Sequence, residues 1–216
     1  MPPWIETWYE IGWFAACVII AIAYEWVQRG RHADSESPNL RGWQSRVRTQ
    51  WVRTLMASSR NEILGVQTLR NSVMAASFLA SLSGLAIPGV FTMSADLNRQ
   101  ALDWHRAIGA PFAAHLQPVK MMVLVAVFFG AFALFVQAIR LFNHVGYMIA
   151  LPHEGPNSVP ADEVARYLNL AGSSFSMGVR VFFACLPAAA WLVDVHMMVL
   201  ATGVLMLMYR QFDRRP

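Results

Sequence analysis

Four apolar stretches, each close to or beyond the ~20 residues with which a helix crosses a ~30 Å hydrocarbon layer, constrain this chain more than any other feature. Inside such a layer each backbone N–H and C=O needs a partner within the protein, which leaves helices as the conformation for isolated apolar runs. The first run, about 11–28, follows Trp4, Trp8, Tyr9 and Trp13 and contains Trp26 near its far end, rings suited to the headgroup zone. The second, about 67–88, rises out of Gln67-Thr68-Leu69-Arg70-Asn71 and should end or kink at Pro88-Gly89, where an amide donor is missing. Pro118 suits the first turn of the third, about 118–143. The fourth, about 180–209, exceeds one crossing, so it should tilt, project or bend at Pro187. A single crossing is expected rather than two, because its halves would be too short to span. Only 14% of the 216 residues are charged, against about 25% in soluble domains. The expectation is an all-α integral membrane protein, a four-helix transmembrane bundle forming one membrane domain over residues 1–216.

The connecting segments have periodicities of their own. Between spans one and two, after the polar turn HADSESPN, residues 41–59 place Trp43, Val47, Trp51 and Leu55 four apart, with Arg41, Arg46, Arg48 and Arg53 among them. An amphipathic interfacial helix is expected there, apolar side down and arginines at phosphate level. A second surface helix is expected over 160–171, opened by Pro160-Ala161-Asp162-Glu163 and stopped by Gly172. Ser94 is placed to cap a short helix that closes at Gly109 and Pro111. Ala76, Ala80 and Gly84 recur at four-residue spacing in span two, a face on which helices approach closely and a route to a homo-oligomer. Cys17 and Cys185 fall at different depths and should remain unpaired.

Of the 17 basic residues only Lys120 is lysine. Guanidinium groups split between loops, with no nucleic-acid motif, point to membrane phosphates rather than to DNA or RNA. With the N-terminus outside, eleven basic residues fall on the inner side and six (Arg99, Arg106, Lys120, Arg210, Arg214 and Arg215) on the outer. This favours N-out and C-out, with the tail Arg214-Arg215 dissenting; a re-entrant fourth segment returning the C-terminus inside would remove that conflict. Residues 1–10 hold Glu6 and Glu10 but no basic residue, so the first span is expected to stay as an anchor rather than be cleaved. The Arg-over-Lys bias fits a bacterial inner membrane.

Polar residues recur at helix spacing where spans meet the inner boundary. Gln67, Arg70 and Asn71 share a face of span two, and Gln137, Arg140 and His144, with Asn143 beside them, repeat the device on span three. Ser173, Ser176 and Arg180 do so at the start of span four, with Asn169 beneath. Glu25 of span one is expected at the same depth as a counter-charge. Either each arginine snorkels to lipid phosphate, or the bundle gathers Arg70, Arg140 and Arg180 around an inner pocket. Asp194 and His196 are expected in the outer half of span four, within reach of Lys120 for a structural ion pair, the alternative being a proton relay. His144 and His196 fall at different depths, which argues against haem or metal, and no cofactor motif occurs. No nucleophile and base pair emerges, and only His144 could act as a general base, so an enzyme ranks third, behind the two functions given below.

Several words of this sequence resemble a family of multi-pass bacterial and plant membrane proteins catalogued as domain of unknown function 599. They are Gln67-Thr68-Leu69-Arg70-Asn71-Ser72 with Met74-Ala75-Ala76 and Leu79-Ala80-Ser81, then Arg140 with Asn143-His144, then Tyr167-Leu168-Asn169, Gly172, Phe175-Ser176, Gly178, Arg180, Phe183, Pro187 and Trp191. The resemblance covers most of the chain from Trp51 onward. It implies a four-span architecture and carries no activity, substrate or catalytic residue. Two functions therefore stand side by side. One is an oligomeric anion channel or transporter with an inner arginine site made of Arg70, Arg140 and Arg180, completed by Gln67, Asn71, Asn143, His144, Asn169, Ser176 and Glu25. The other is a non-catalytic scaffold that binds anionic lipid headgroups through residues 41–59.

Overall fold

The computed structural model describes residues 3–30, 40–57, 62–109, 112–151 and 158–213. The turn at 32–39, Arg31, Arg60, Pro111, His153, Arg214 and Arg215 lie outside the described residues, as do the side chains of Arg29 and Arg41. The elements are α1 (Pro3–Gly30), α2 (Leu40–Met56), α3 (Glu62–Thr92), α4 (Ser94–Ile108), a 3₁₀ turn (Ala114–Leu116), α5 (Gln117–Ile149), α6 (Ala161–Phe183), α7 (Cys185–Val193) and α8 (Val195–Phe212), with no strand among the described residues. Five stretches are long and apolar enough to cross a membrane: Trp4–Val27, Ile63–Thr92, Ala114–Ile149, Ala161–Val193 and Val195–Phe212.

The segment 180–209, expected to be continuous, is instead divided between the last two of these stretches. Gly172 does not stop the surface helix; α6 runs through it to Phe183. Pro187 lacks the amide that would bond to the Phe183 carbonyl, and the helix breaks there, at Ala184, before resuming as α7. The second break falls at Asp194, whose extended backbone (φ −160°, ψ 147°) and side chain, accepting from the His196 amide at 2.7 Å, cap the N-terminus of α8. The 18 residues of α8 reach about 27 Å, close to the hydrocarbon thickness, so the short piece is long enough after all. Pro88 likewise lies inside α3, which continues to Thr92, and Ser94 is the first residue of α4 rather than its cap.

The chain divides into two compact units. Unit one comprises Met1–Asn39, Leu85–Phe129 and Val181–Pro216. Here Phe14 stacks on Trp191 at 4.3 Å between centroids, over a core of Cys17, Trp191, Val195 and Met198. A second core joins Val90, Leu124, Ala188 and Leu192. Tyr9 meets His196 and Tyr24 donates to Asp213, so α1 and α8 run parallel. Helix α4 turns Ala101 and His105 inward and ends at Gly109, whose φ of 66° is the left-handed conformation glycine adopts without strain. Cys17 and Cys185 are both free thiols.

Unit two comprises Leu40–Gly84 and Gly130–Arg180. Val52 and Leu55 of α2 enter a core shared with Leu69, Leu141, Phe142, Val145, Val164 and Leu168. The amphipathic helix is therefore turned otherwise than expected: much of its apolar side packs on protein, while Trp43 and Val47 stay exposed. Side-chain-free positions permit the contacts. A Cβ on Gly65 would lie 2.6 Å from Leu55 Cδ2, and one on Gly178 would lie 2.8 Å from Cε1 of the fully buried Phe135. Ala76 and Ala80 are buried within the chain, and Gly84 faces Phe132, so the small-residue stripe serves intramolecular packing and is not the expected route to an oligomer.

Candidate functional site

The polar site of unit two is built on α2. Arg48, Val52 and Leu55 share a helix face, so the packing that buries the two apolar residues also directs Arg48 toward α6. It meets Gly172, where a Cβ would lie 2.8 Å from Nη1 and 2.9 Å from Cζ; only a glycine leaves room for the guanidinium. Arg48 Nε donates to Asn169 Oδ1 at 2.9 Å, Asn169 Nδ2 donates to Thr49 Oγ1 at 3.1 Å, and Thr49 Oγ1 donates to the Ser45 carbonyl at 2.9 Å. Arginine only donates, which fixes the amide of Asn169 in this orientation. Burial lowers the Arg48 guanidinium from its ordinary value, since desolvation disfavours the cation.

Two grooves meet at Thr49. One, of about 450 Å³, is lined by Thr49, Asp162, Ala165, Arg166, Asn169 and Leu170. The other, of about 470 Å³, is lined by Ser45, Arg46, Thr49, Gln50 and Arg53. Arg53 is held by Asp162 through Nε and Nη2 at 3.0 and 2.9 Å, and Arg166 lies 3.6 Å from Glu163. These are exposed pairs, each contributing about 1 kcal/mol or less.

The residues expected at the inner pocket are distributed as follows. Gln67, Arg70 and Asn71 are exposed on α3, and Arg140, Asn143 and His144 are exposed on α5, the His144 ring lying 5.0 Å from that of Tyr167. Ser176 and Arg180 are half-buried on α6, and Glu25 is half-buried on α1. Asn169 is brought to Arg48 and Thr49, an association that needs the turn of α2 against α6 and that spacing along the chain does not reveal.

Unit one holds a second polar cluster, and here the expected Lys120–Asp194 pair is corrected. Lys120 Nζ lies 2.6 Å from Glu10 Oε2, with side chains only 3% and 12% exposed. Trp191 Nε1 donates to the same oxygen at 3.2 Å, and the ammonium sits 5.5 Å from the Trp191 ring centroid. Asp194 instead faces two histidines: Oδ2 is 3.5 Å from His105 Nε2 and Oδ1 is 3.0 Å from His196 Nδ1. Burial alone would raise the Asp194 carboxyl, but the amide and ring of His196 and the charge of His105 outweigh it and hold the carboxyl low. Because Asp194 Oδ1 takes the His196 amide, the Leu192 carbonyl loses its usual i+4 donor, and Gln117 Nε2 supplies one at 2.9 Å. Gln117 Oε1 is buried without a partner.

No curated protein and no solved structure matches this chain. A family model described as "Protein of unknown function, DUF599" matches residues 13–216, a range that contains both the α2–α6 site and nearly all of the unit-one cluster. With its apolar helices compatible with a membrane protein and the match extending over almost its whole length, the chain belongs to the DUF599 family.

Proposed function

We propose that this is a five-span membrane protein whose α2 helix gathers anionic phospholipid headgroups, a lipid-binding scaffold rather than an enzyme. The observation that carries this reading is the anchoring of α2. Val52 and Leu55 hold it in the core of unit two while Ser45, Arg46, Thr49, Gln50 and Arg53 line an open groove. A basic, polar groove on a fixed helix suits phosphate oxygens better than an apolar ligand. Orientation supports the same reading. With the N-terminus outside and five crossings, Arg210, Arg214 and Arg215 join the eleven inner residues, and only Arg99, Arg106 and Lys120 remain outside. The basic tail then no longer dissents, and α2 faces the cytoplasmic leaflet of a bacterial inner membrane, where anionic lipid attracts arginine.

Lipid retention tests the reading. Purified from mixed bilayers, the protein should keep phosphatidylglycerol in preference to phosphatidylcholine, with the preference falling as salt rises and in Arg46→Gln and Arg53→Gln. Equal retention of both lipids at low salt would end it.

Anion transport through an oligomer is the second reading, favoured by the half-buried position of Arg180 within a helix long enough to span. Arg70 and Arg140 would complete the inner site with Gln67, Asn71, Asn143, His144 and Ser176. Since Ala76 and Ala80 are already buried, the exposed polar faces of α3 and α5 would have to meet between copies. Anion flux into proteoliposomes that falls in Arg70→Gln supports transport; absence of flux in the native protein refutes it.

A further inference from the structure

We infer that Arg48 is the seat of one phosphoryl anion, held by the free ends of a guanidinium that α6 fixes from behind; this rests on, and sharpens, the headgroup-binding reading of α2. Four observations converge on it. The guanidinium is partly buried, so its charge has lost solvent that something must replace. The one hydrogen bond it makes among the described residues is to a neutral amide, Asn169 Oδ1, and no carboxylate among them faces it. The neighbouring arginines differ in this respect, Arg53 being neutralised by Asp162 and Arg166 by Glu163. Finally, the guanidinium is seated against a glycine that any side chain would displace.

The direction of the hydrogen bonds identifies the ligand. Thr49 donates to Ser45, Asn169 donates to Thr49, and Arg48 donates to Asn169 through Nε. What the network leaves without a protein acceptor among the described residues is donors, the N–H groups on Nη1 and Nη2 of Arg48, and a guanidinium presents such donors as a fork that matches two oxygens of a phosphate. A neutral or cationic ligand would leave these donors and the charge unanswered. A carboxylate has the same fork geometry, and it is the headgroup-binding reading of α2 that selects the phosphoryl group between the two. The phosphoryl group could be a lipid headgroup or free phosphate, and the chemistry at Arg48 is common to both.

The test uses full-length protein in neutral detergent, titrated calorimetrically at ~0.15 M salt, where exposed charges are largely screened beyond ~8 Å. The titrants are dihexanoyl phosphatidic acid, dihexanoyl phosphatidylcholine and inorganic phosphate. Phosphatidic acid should bind once per chain and phosphatidylcholine should not. Inorganic phosphate that binds and competes identifies free phosphate as a source; phosphate that does neither identifies the headgroup. Arg48→Gln should weaken binding about ten- to a hundredfold, the range for losing charge-assisted hydrogen bonds.

Two further variants separate the seat from general electrostatics. Asn169→Asp keeps the guanidinium but gives it an internal carboxylate, and should weaken binding as much as Arg48→Gln while the chain melts no lower than the native one. Gly172→Ala keeps every charge but displaces the guanidinium, and should do the same if it folds. If Arg48→Gln and Asn169→Asp both bind as the native chain does while Arg46→Gln binds less, the seat is refuted and the broader α2 reading stands. If no anionic titrant binds the native chain and no anionic lipid is retained, both fall.

Discussion

Replacing Lys120 by Met removes an ammonium 2.6 Å from Glu10 Oε2 and leaves a carboxylate, 12% exposed, with Trp191 Nε1 as its one remaining hydrogen-bond donor among the described residues. Breaking a buried ion pair from one side costs about 3–5 kcal/mol, because the surviving charge keeps its desolvation penalty and loses its compensation. A destabilisation of that size is expected for Lys120→Met. In the double variant Glu10→Gln, Lys120→Met both charges are gone, and a glutamine oxygen can still accept from Trp191 Nε1. It should lie within about 1 kcal/mol of the native protein, so the two single losses together should exceed the loss in the double variant by at least about 2 kcal/mol. Reversible unfolding by sodium dodecyl sulfate in mixed micelles, followed by helical circular dichroism, measures all four corners of the cycle. Additive effects, or a Lys120→Met variant as stable as the native chain, would show that the pair is solvated and that the reasoning from burial is wrong.

Three further outcomes are expected. Gly178→Ala should cost about 1–3 kcal/mol by overpacking against Phe135, and Phe135→Leu introduced with it should recover part of the loss in the same unfolding assay. Gln117→Leu should cost about 1–3 kcal/mol by orphaning the Leu192 carbonyl, seen as a lower thermal midpoint. Because the folded Asp194 carboxyl is held low, its contribution is present above the ordinary carboxylate range and lost as pH falls through its folded value. Below about pH 4 the native protein and Asp194→Asn should therefore converge in stability, whereas at neutral pH the native protein is the more stable.

Long apolar runs made α1, α3 and α5 legible, because span length and interfacial aromatic rings do not depend on what the helices pack against. Two of the differences between sequence and structure turn on single residues. Gly172 resembles a helix stop by composition, yet α6 continues through it, and Arg48, which packs where a side chain at 172 would lie, is far away in sequence. Asp194 reads as a polar residue within a span, although an aspartate two residues before a backbone amide it can accept from is also a helix cap. The unit-one cluster was hidden for a similar reason. Glu10, Lys120 and Trp191 come from α1, α5 and α7, so their meeting is a matter of tertiary packing. One signal is present in the sequence: the single lysine of the chain and Glu10 each stand at the entrance of an apolar run. The face of α2 was partly legible, since Leu55 was placed on an apolar stripe, but periodicity does not tell protein from lipid as the covering phase.

The parallel arrangement of α1 and α8 bears on how the chain is made as well as on how it stands. Nearly the whole described sequence leaves the ribosome between them, so on the proposed five-span reading unit one is closed by a helix that arrives late and finds its neighbour already in the bilayer. That helix is also the shortest and the least apolar of the five candidate spans. Its entry is the step at which lipid alone offers least and a waiting protein surface most. Tyr9, Tyr24 and the stacked Phe14 belong to a template laid down first, and Asp194 opens the segment that must read it. Damage to α1 would then be felt as failed integration of α8, so that a lesion near one end of the described chain is expressed near the other.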